Sequence, residues 1–370
     1  MKAINNIVAV VPMILITSAH AGGLYLYETS TTDIGLASAG MAARAQDSSV
    51  IAANPAGLAN VEGQSFSGNF INLYGDATLD TVGGGNAGNT IQYVPLGSAF
   101  YSQQLNENWT VGAGIYGNYG LGLQYEHLFS RLEVPSATTQ ALTFQPSASY
   151  RINDQLSLGA SLGVHYGIFD LEAHSSNSNT VNIDQHDTDV QVNGKLGLFY
   201  EFSADTRIGI SYTNKAEFEF DFSNAVAPQQ LVFSAFHNIN DKLAVMGNVN
   251  WQDWSDYQTI MGADTQDTYQ IAFGTQYKFN SRITWNAGFA YDSSMFTDQS
   301  HGDITIPAGK AYRVGSGIDY QLDDSNTISV ALEATLIDSS EFQGPLGNTV
   351  AQFNDPALYF LSLGYSWKSH

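Results

Sequence analysis

Ile152-Asn153-Asp154-Gln155-Leu156-Ser157-Leu158-Gly159-Ala160-Ser161-Leu162-Gly163-Val164-His165-Tyr166-Gly167 is the stretch whose reading decides the fold. Its first residues put Asn and Asp where a backbone reverses, and the chain then alternates with period two. One face reads Leu156, Leu158, Ala160, Leu162, Val164, Tyr166; the other reads Ser157, Gly159, Ser161, Gly163, His165, Gly167. A soluble sandwich also alternates, but its apolar face points inward and its polar face carries charge. Here the second face is small and neutral, as expected of a membrane barrel whose greasy face meets lipid and whose lumen is packed around something.

The unit recurs from about Ser65 to the end. Near-copies of the turn stand at Leu105–Trp109, Phe202–Thr206, Ile239–Leu243, Phe279–Ile283 and Leu322–Asn326. Counting the alternating runs predicts fourteen strands, joined alternately by six short turns and seven longer loops. Two of those loops are expected at 119–138 and 170–187. Short periplasmic turns and long extracellular loops are the usual asymmetry of such barrels, and they place both barrel ends in the periplasm. Trp109, Trp251, Trp254, Trp285 and Trp367 fall near predicted strand ends, which reads as an interfacial aromatic girdle.

Composition agrees. Only 13% of residues are charged, against about 25% in ordinary soluble chains, so something other than charge covers the outside. No run approaches the roughly 18 to 20 apolar residues of a transmembrane helix. A net charge of −22 argues against nucleic acid, and the absence of Cys excludes a lipid anchor, disulfides and thiolate metal sites. Lys2, the apolar run Ile7–Ile16 and Ala19-His20-Ala21 read as a cleaved signal peptide over 1–21. Residues 22–63 are rich in small side chains and lack long alternation. The fold class expected is therefore all-β, a transmembrane antiparallel β-barrel of 14 strands over 64–370, with 22–63 as a hatch, or plug, inside the lumen.

That N-terminal stretch carries a resemblance. Gly23-Leu24-Tyr25-Leu26-Tyr27-Glu28, Gly35, Ala39-Gly40-Met41-Ala42-Ala43, Asp47 and Asn54-Pro55-Ala56-Gly57-Leu58 resemble the signature of the FadL/TodX family of outer-membrane transporters for fatty acids and aromatic hydrocarbons. Tyr119-Gly120-Leu121, Gln145–Asp154, Asp205–Tyr212 and Asn240–Gly247 continue the match in order. The resemblance implies a fourteen-stranded barrel with an N-terminal hatch, in the outer membrane of a Gram-negative bacterium and monomeric. It also implies capture of small hydrophobic molecules in an extracellular groove, a luminal pocket, hatch movement and lateral exit beside a kinked third strand. The chain departs from the pattern in its short loops and in Lys368-Ser369-His370 following Trp367.

Candidate residues follow from the pattern. Leu121, Leu123, Tyr125, Leu128, Phe129, Leu132 and Val134 make the second long loop apolar, with Arg131 among them as a cation for a carboxylate head; a packed loop helix is the alternative. Gly112, Gly114, Gly117 and Gly120 weaken the third strand and mark either a lateral opening or close packing on the hatch. Alternation points His165, Lys195, Arg313, Asp319 and Glu333 into the lumen, where the cations are expected to pair with these carboxylates or with Glu28, Asp33 or Asp47 of the hatch. Asn54, Pro55 and Ala56 read as a rigid turn fixing it. Asp184, His186, Asp187 and Asp189 lack a metal-site or acid–base spacing, and no nucleophile, zinc or phosphate-loop motif occurs, so neither catalysis nor a cofactor is expected. The expected partners are a fatty acid or hydrocarbon ligand, outer-membrane lipid with lipopolysaccharide, and the barrel assembly machinery. An aromatic or alkane channel and a non-transporting adhesin are the alternatives.

Overall fold

Each predicted turn folds by one device. Asn153 Oδ1 accepts the backbone N–H groups of Gln155 and Leu156 at 2.9 and 2.8 Å, and Asn106, Asn240, Asn280 and Asp323 repeat this two and three residues on. Ser203 does the same with its hydroxyl. A short side chain thereby satisfies donors that a reversing backbone leaves free.

The computed structural model describes residues 24–369, except 83–84, 92, 129–131, 176–181, 222–223, 258, 260–261 and 345–346. Fourteen strands close into a barrel: β1 Gln64–Asp76, β2 Tyr93–Gln104, β3 Trp109–Leu128, β4 Leu132–Arg151, β5 Leu156–Ser175, β6 Asn182–Glu201, β7 Thr206–Thr213, β8 Gln230–Asn238, β9 Leu243–Gln252, β10 Thr268–Lys278, β11 Ile283–Asp292, β12 Ala311–Gln321, β13 Asn326–Ile337 and β14 Ala357–Lys368. Every neighbour pair is antiparallel, and β1 closes on β14 from Ser65↔Lys368 to Asp76↔Ala357. Leu158, Leu162 and Tyr166 are exposed on the outer face while Ser157 and His165 are buried, which is the alternation read from the sequence.

Two expectations are corrected. The described residues of 119–138 and 170–187 are strand and not loop, because β3 to β6 each run for twenty residues. At about 3.3 Å per residue and a tilt near 45°, twenty residues rise roughly 45 Å, well beyond an apolar band of about 25 Å, so this wall projects from the membrane. The sign was present: Leu121, Leu123 and Tyr125 keep period two. Trp254 is the second correction. It is fully buried, with Nε1 donating to Gln252 Oε1 at 3.0 Å, and is no part of a girdle.

Residues 24–63 run inside the strands. They contain α1 (Thr31–Gly35), capped by the Ser30 hydroxyl on Asp33 N, then α2 (Val50–Ala53) and a 3-10 turn (Pro55–Asn60). The small inward residues are explained by this passenger. A Cβ on Gly209 would stand 1.9 Å from Ala42 O, and one on Gly288 would stand 1.9 Å from Leu36 O. Backbone therefore lies directly on backbone, which any larger side chain would prevent.

Candidate functional site

Many of the bonds that fasten the inner segment to the wall fall on its carbonyl oxygens. Arg151 donates to Ala59 O, Lys195 to Ala52 O, Lys368 to Gln46 O, and Arg207 to Ala43 O at 2.8 Å and Arg44 O at 2.5 Å while stacking on Phe236. Asn54 Nδ2 bridges Ala42 O (2.9 Å) and Leu198 O (3.0 Å), while its Oδ1 caps Ala56 N at 3.0 Å ahead of Pro55. Arg44 and Asp33 pair within the segment.

Arg313 makes the deepest attachment. Its guanidinium pairs with Glu28 of the segment, lies 3.1 Å from Asp292 and 3.6 Å from Glu333, and donates to Ser38 Oγ at 2.8 Å. All four charged groups are almost fully buried. Of the expected pairings, Arg313 therefore takes Glu28 and Glu333. Lys195 takes no carboxylate among the described residues. Asp319 instead accepts from Asn286 at 2.8 Å and Ser329 at 2.6 Å, and Asp47 caps Ser49 N at 2.8 Å.

The barrel is incomplete at one edge. β2 stays paired with β1 as far as Tyr93↔Tyr74, but its pairing with β3 stops at Ser98↔Tyr116. Just beyond, β3 bulges against β4 between Gly117 and Tyr119. The free edge of β3 is taken by the segment: Leu26 N donates to Asn118 O at 2.8 Å, Gly120 N to Leu24 O at 3.0 Å, and Tyr25 sits opposite Tyr119. Asn118 Nδ2 adds a bond to Tyr25 Oη at 2.7 Å. Gly120 has φ +137, a conformation that glycine tolerates best. Gly112 and Gly114 lie lower, where a Cβ would meet Ile51 and Phe100, so those two serve packing.

Behind this strap lies a small cavity lined by Tyr25, Tyr116, Asn118, Gln145, His165 and Lys195, among others. Thr143 Oγ1 holds His165 Nδ1 at 2.8 Å. The expected apolar groove is not an exposed one. Leu121, Leu123, Tyr125 and Leu128 are buried in a core with Phe169, Phe218 and Phe296, and Tyr125 Oη donates to Ile304 O at 2.5 Å. Phe129 and Arg131 lie outside the described residues, as does the Leu132 side chain. At the opposite end a vestibule of about 370 Å³ is polar, with Gln46, Asp47, Lys278, Arg282, Asp319 and Lys368 on its walls.

Sequence reasoning missed Asp292, Tyr25 and Asn118. Asp292 is the last residue of β11 and lies on the same face as the buried Ala290, so carrying the alternation to the strand's end turns it inward.

A family model described as "Outer membrane protein transport protein (OMPP1/FadL/TodX)" matches residues 13–227 and 223–348. The chain belongs to the OMPP1/FadL/TodX family. Outer membrane protein P1 of Haemophilus influenzae is 25% identical over 473 aligned positions, covering 99% of this chain and all of that one. A long-chain fatty acid transport protein of Salmonella typhi is 21% identical, covering 89% and 90%. Among solved structures, a Pseudomonas aeruginosa FadL homologue superposes with TM-score 0.82 at 16% identity, covering 94% of this chain and 100% of that one. The Pseudomonas putida toluene transporter TodX gives 0.71 at 18%, covering 94% and 99%. This FadL/TodX-family chain is an outer-membrane β-barrel of the Gram-negative type and a transport protein.

Proposed function

We propose that the chain carries small hydrophobic molecules, long-chain fatty acids above all, through the lumen to the open edge between β2 and β3, where they leave sideways into the membrane. The observation that carries this reading is the strap: where β2 leaves β3 unpaired beyond Tyr116, the next bonds on that edge come from Leu24–Leu26 of the inner segment, not from another barrel strand. A bond to a separate segment can open without breaking the barrel ladder. Residues 22–63 then act as the hatch, with Asn54-Pro55-Ala56 as its fixed turn. The polar vestibule argues against axial exit, since an alkyl chain gains nothing by crossing it.

Lys195 gives the reading its preference for acids. It is a buried ammonium whose one hydrogen-bond partner among the described residues is a neutral carbonyl, and it faces a cavity. A ligand carboxylate would supply the missing counter-charge, a contact worth about 1.5–3 kcal/mol. Leu121, Leu123, Tyr125 and Leu128 would line the route above it.

Uptake of labelled oleate and of labelled toluene, by cells with and without the protein, tests this. Lys195→Met should lower oleate uptake about tenfold, in keeping with that contact, and leave toluene uptake unchanged or raised. Equal loss of both would remove Lys195 from acid recognition. Absence of protein-dependent uptake of either would end the transport reading.

A further inference from the structure

Residues Ala216–Glu219 and Asn224–Ala227 form a two-stranded hairpin that joins no barrel strand. It too alternates, but it turns its apolar side into the mouth of the lumen: Ala216, Phe218, Phe220, Ala225 and Ala227 are buried, while Glu217, Glu219 and Asp221 face water. Phe218 and Phe220 stack at 5.9 Å with 2° between their planes. The stack continues to Tyr119 at 5.8 Å on one side and to Phe169 at 5.7 Å on the other.

Four rings thus roof the cavity that holds Lys195. Ala227 and Tyr119 belong to the roof and also line that cavity, and Phe218 sits edge-on to His165 at 6.3 Å. Gly167 makes room for the roof, since a Cβ there would stand 2.6 Å from Phe218 Cδ1.

Backbone bonds and ion pairs tie the hairpin down on its wet side. Glu219 N donates to Asp189 Oδ2 at 3.0 Å and Asp221 N to Asp187 Oδ2 at 2.7 Å. Lys215 lies between Glu217 (2.6 Å) and Asp256 (3.0 Å), and hydrogen bonds to those carboxylates hold its ammonium above the usual lysine range. These ties are solvent-exposed and therefore weak, in contrast to the buried anchors of the inner segment.

We infer that this hairpin is the extracellular gate of the lumen, and that Phe218 and Phe220 are its specificity-determining residues. An alkyl chain sliding between the rings exchanges ring–ring for ring–alkyl contact at small loss. A small charged solute must shed its water and finds no partner in a roof of four rings, whereas a fatty acid offsets the desolvation of its head by burying its long tail. The gate rests on the reading of the lumen as a hydrophobic route, and its test is independent of uptake.

The chain has no cysteine, so Thr213→Cys, on the cavity wall beneath the roof, is a unique reporter. The purified protein is treated with a small anionic methanethiosulfonate and with an apolar one of similar width. With the roof intact, the apolar reagent should react at least tenfold faster than the anionic one. In Phe218→Ala/Phe220→Ala the anionic rate should rise more than tenfold and the apolar rate less than threefold. Gly167→Val, which pushes Phe218 aside and keeps both rings, should give the same shift, and it carries the test should the double variant fail to fold. Anionic rates unchanged in the folded variants would overturn the gate, as would a reporter that neither reagent reaches in any background. A preserved rate ratio without oleate uptake would leave the gate standing and the transport reading refuted.

Discussion

Oxidised Tyr25→Cys/Tyr119→Cys protein takes up no labelled oleate, and a reductant restores the rate of the reduced double variant. The two residues face each other in an antiparallel bridge whose hydrogen bonds, Leu26 N to Asn118 O and Gly120 N to Leu24 O, flank the pair without joining it. Such pairs bring Cα atoms to about 4.5 Å, within the disulfide range. No other thiol competes. The bond welds the strap to β3 and leaves the ladders between the fourteen barrel strands untouched. A loss of more than tenfold that reductant reverses therefore belongs to strap movement. Undiminished uptake in the oxidised form would mean that solute passes elsewhere, and the reduced variant controls for the missing tyrosines.

Arg313→Met should release the inner segment. The substitution leaves Glu28, Asp292 and Glu333 facing one another with no cation among them, and breaking a buried pair by removing one partner costs about 3–5 kcal/mol. Most of that loss falls on the contact between segment and wall, because β12 keeps its full ladders with β11 and β13. The expected result is a barrel that still shifts on a gel when heated but whose residues 24–63 are cut by an added protease that spares the parent. Adding Glu333→Gln should restore part of the protection by removing one carboxylate, whereas Arg313→Lys should restore little, since an ammonium cannot reproduce the forked contacts. Protection equal to the parent in Arg313→Met would show that the carbonyl anchors at Ala43, Ala52 and Ala59 suffice.

Much of this was legible in the sequence because a barrel writes its geometry locally. Leu158, Leu162 and Tyr166 face lipid and Ser157 and His165 face inward for the same reason that they alternate, and the Asn153-type turns cap their own donors within three residues. Fourteen strands could therefore be counted. What failed were boundaries: Ser136 and Thr138 fall in the expected loop, and only the continued alternation of Leu121, Leu123 and Tyr125 shows that β3 runs on. The lumen was harder to read. Arg313 could be expected to find Glu28 because both ends of an ion pair are visible as side chains. The partner of Lys195 is the carbonyl of Ala52, and a carbonyl leaves no mark in a sequence. For the same reason the strap could not be foreseen, since Leu24–Leu26 pairs with β3 through backbone groups that every residue has. The acidic run around Asp187 and Asp189 acquires its meaning only when the hairpin amides of Asp221 and Glu219 arrive beside it.

On the proposed route a greasy acid travels inside the barrel and leaves at the β2–β3 edge. A diazirine-bearing fatty acid, bound to the protein in native outer-membrane vesicles and activated by light, tests it most directly once the adducts are mapped by peptide mass. Adducts are expected on Tyr25, Tyr116, Asn118 and neighbours of Lys195, suppressed by excess unlabelled oleate. Adducts confined to outward residues such as Phe233 and Leu361, or gathered at the polar vestibule around Lys278 and Arg282, would contradict it.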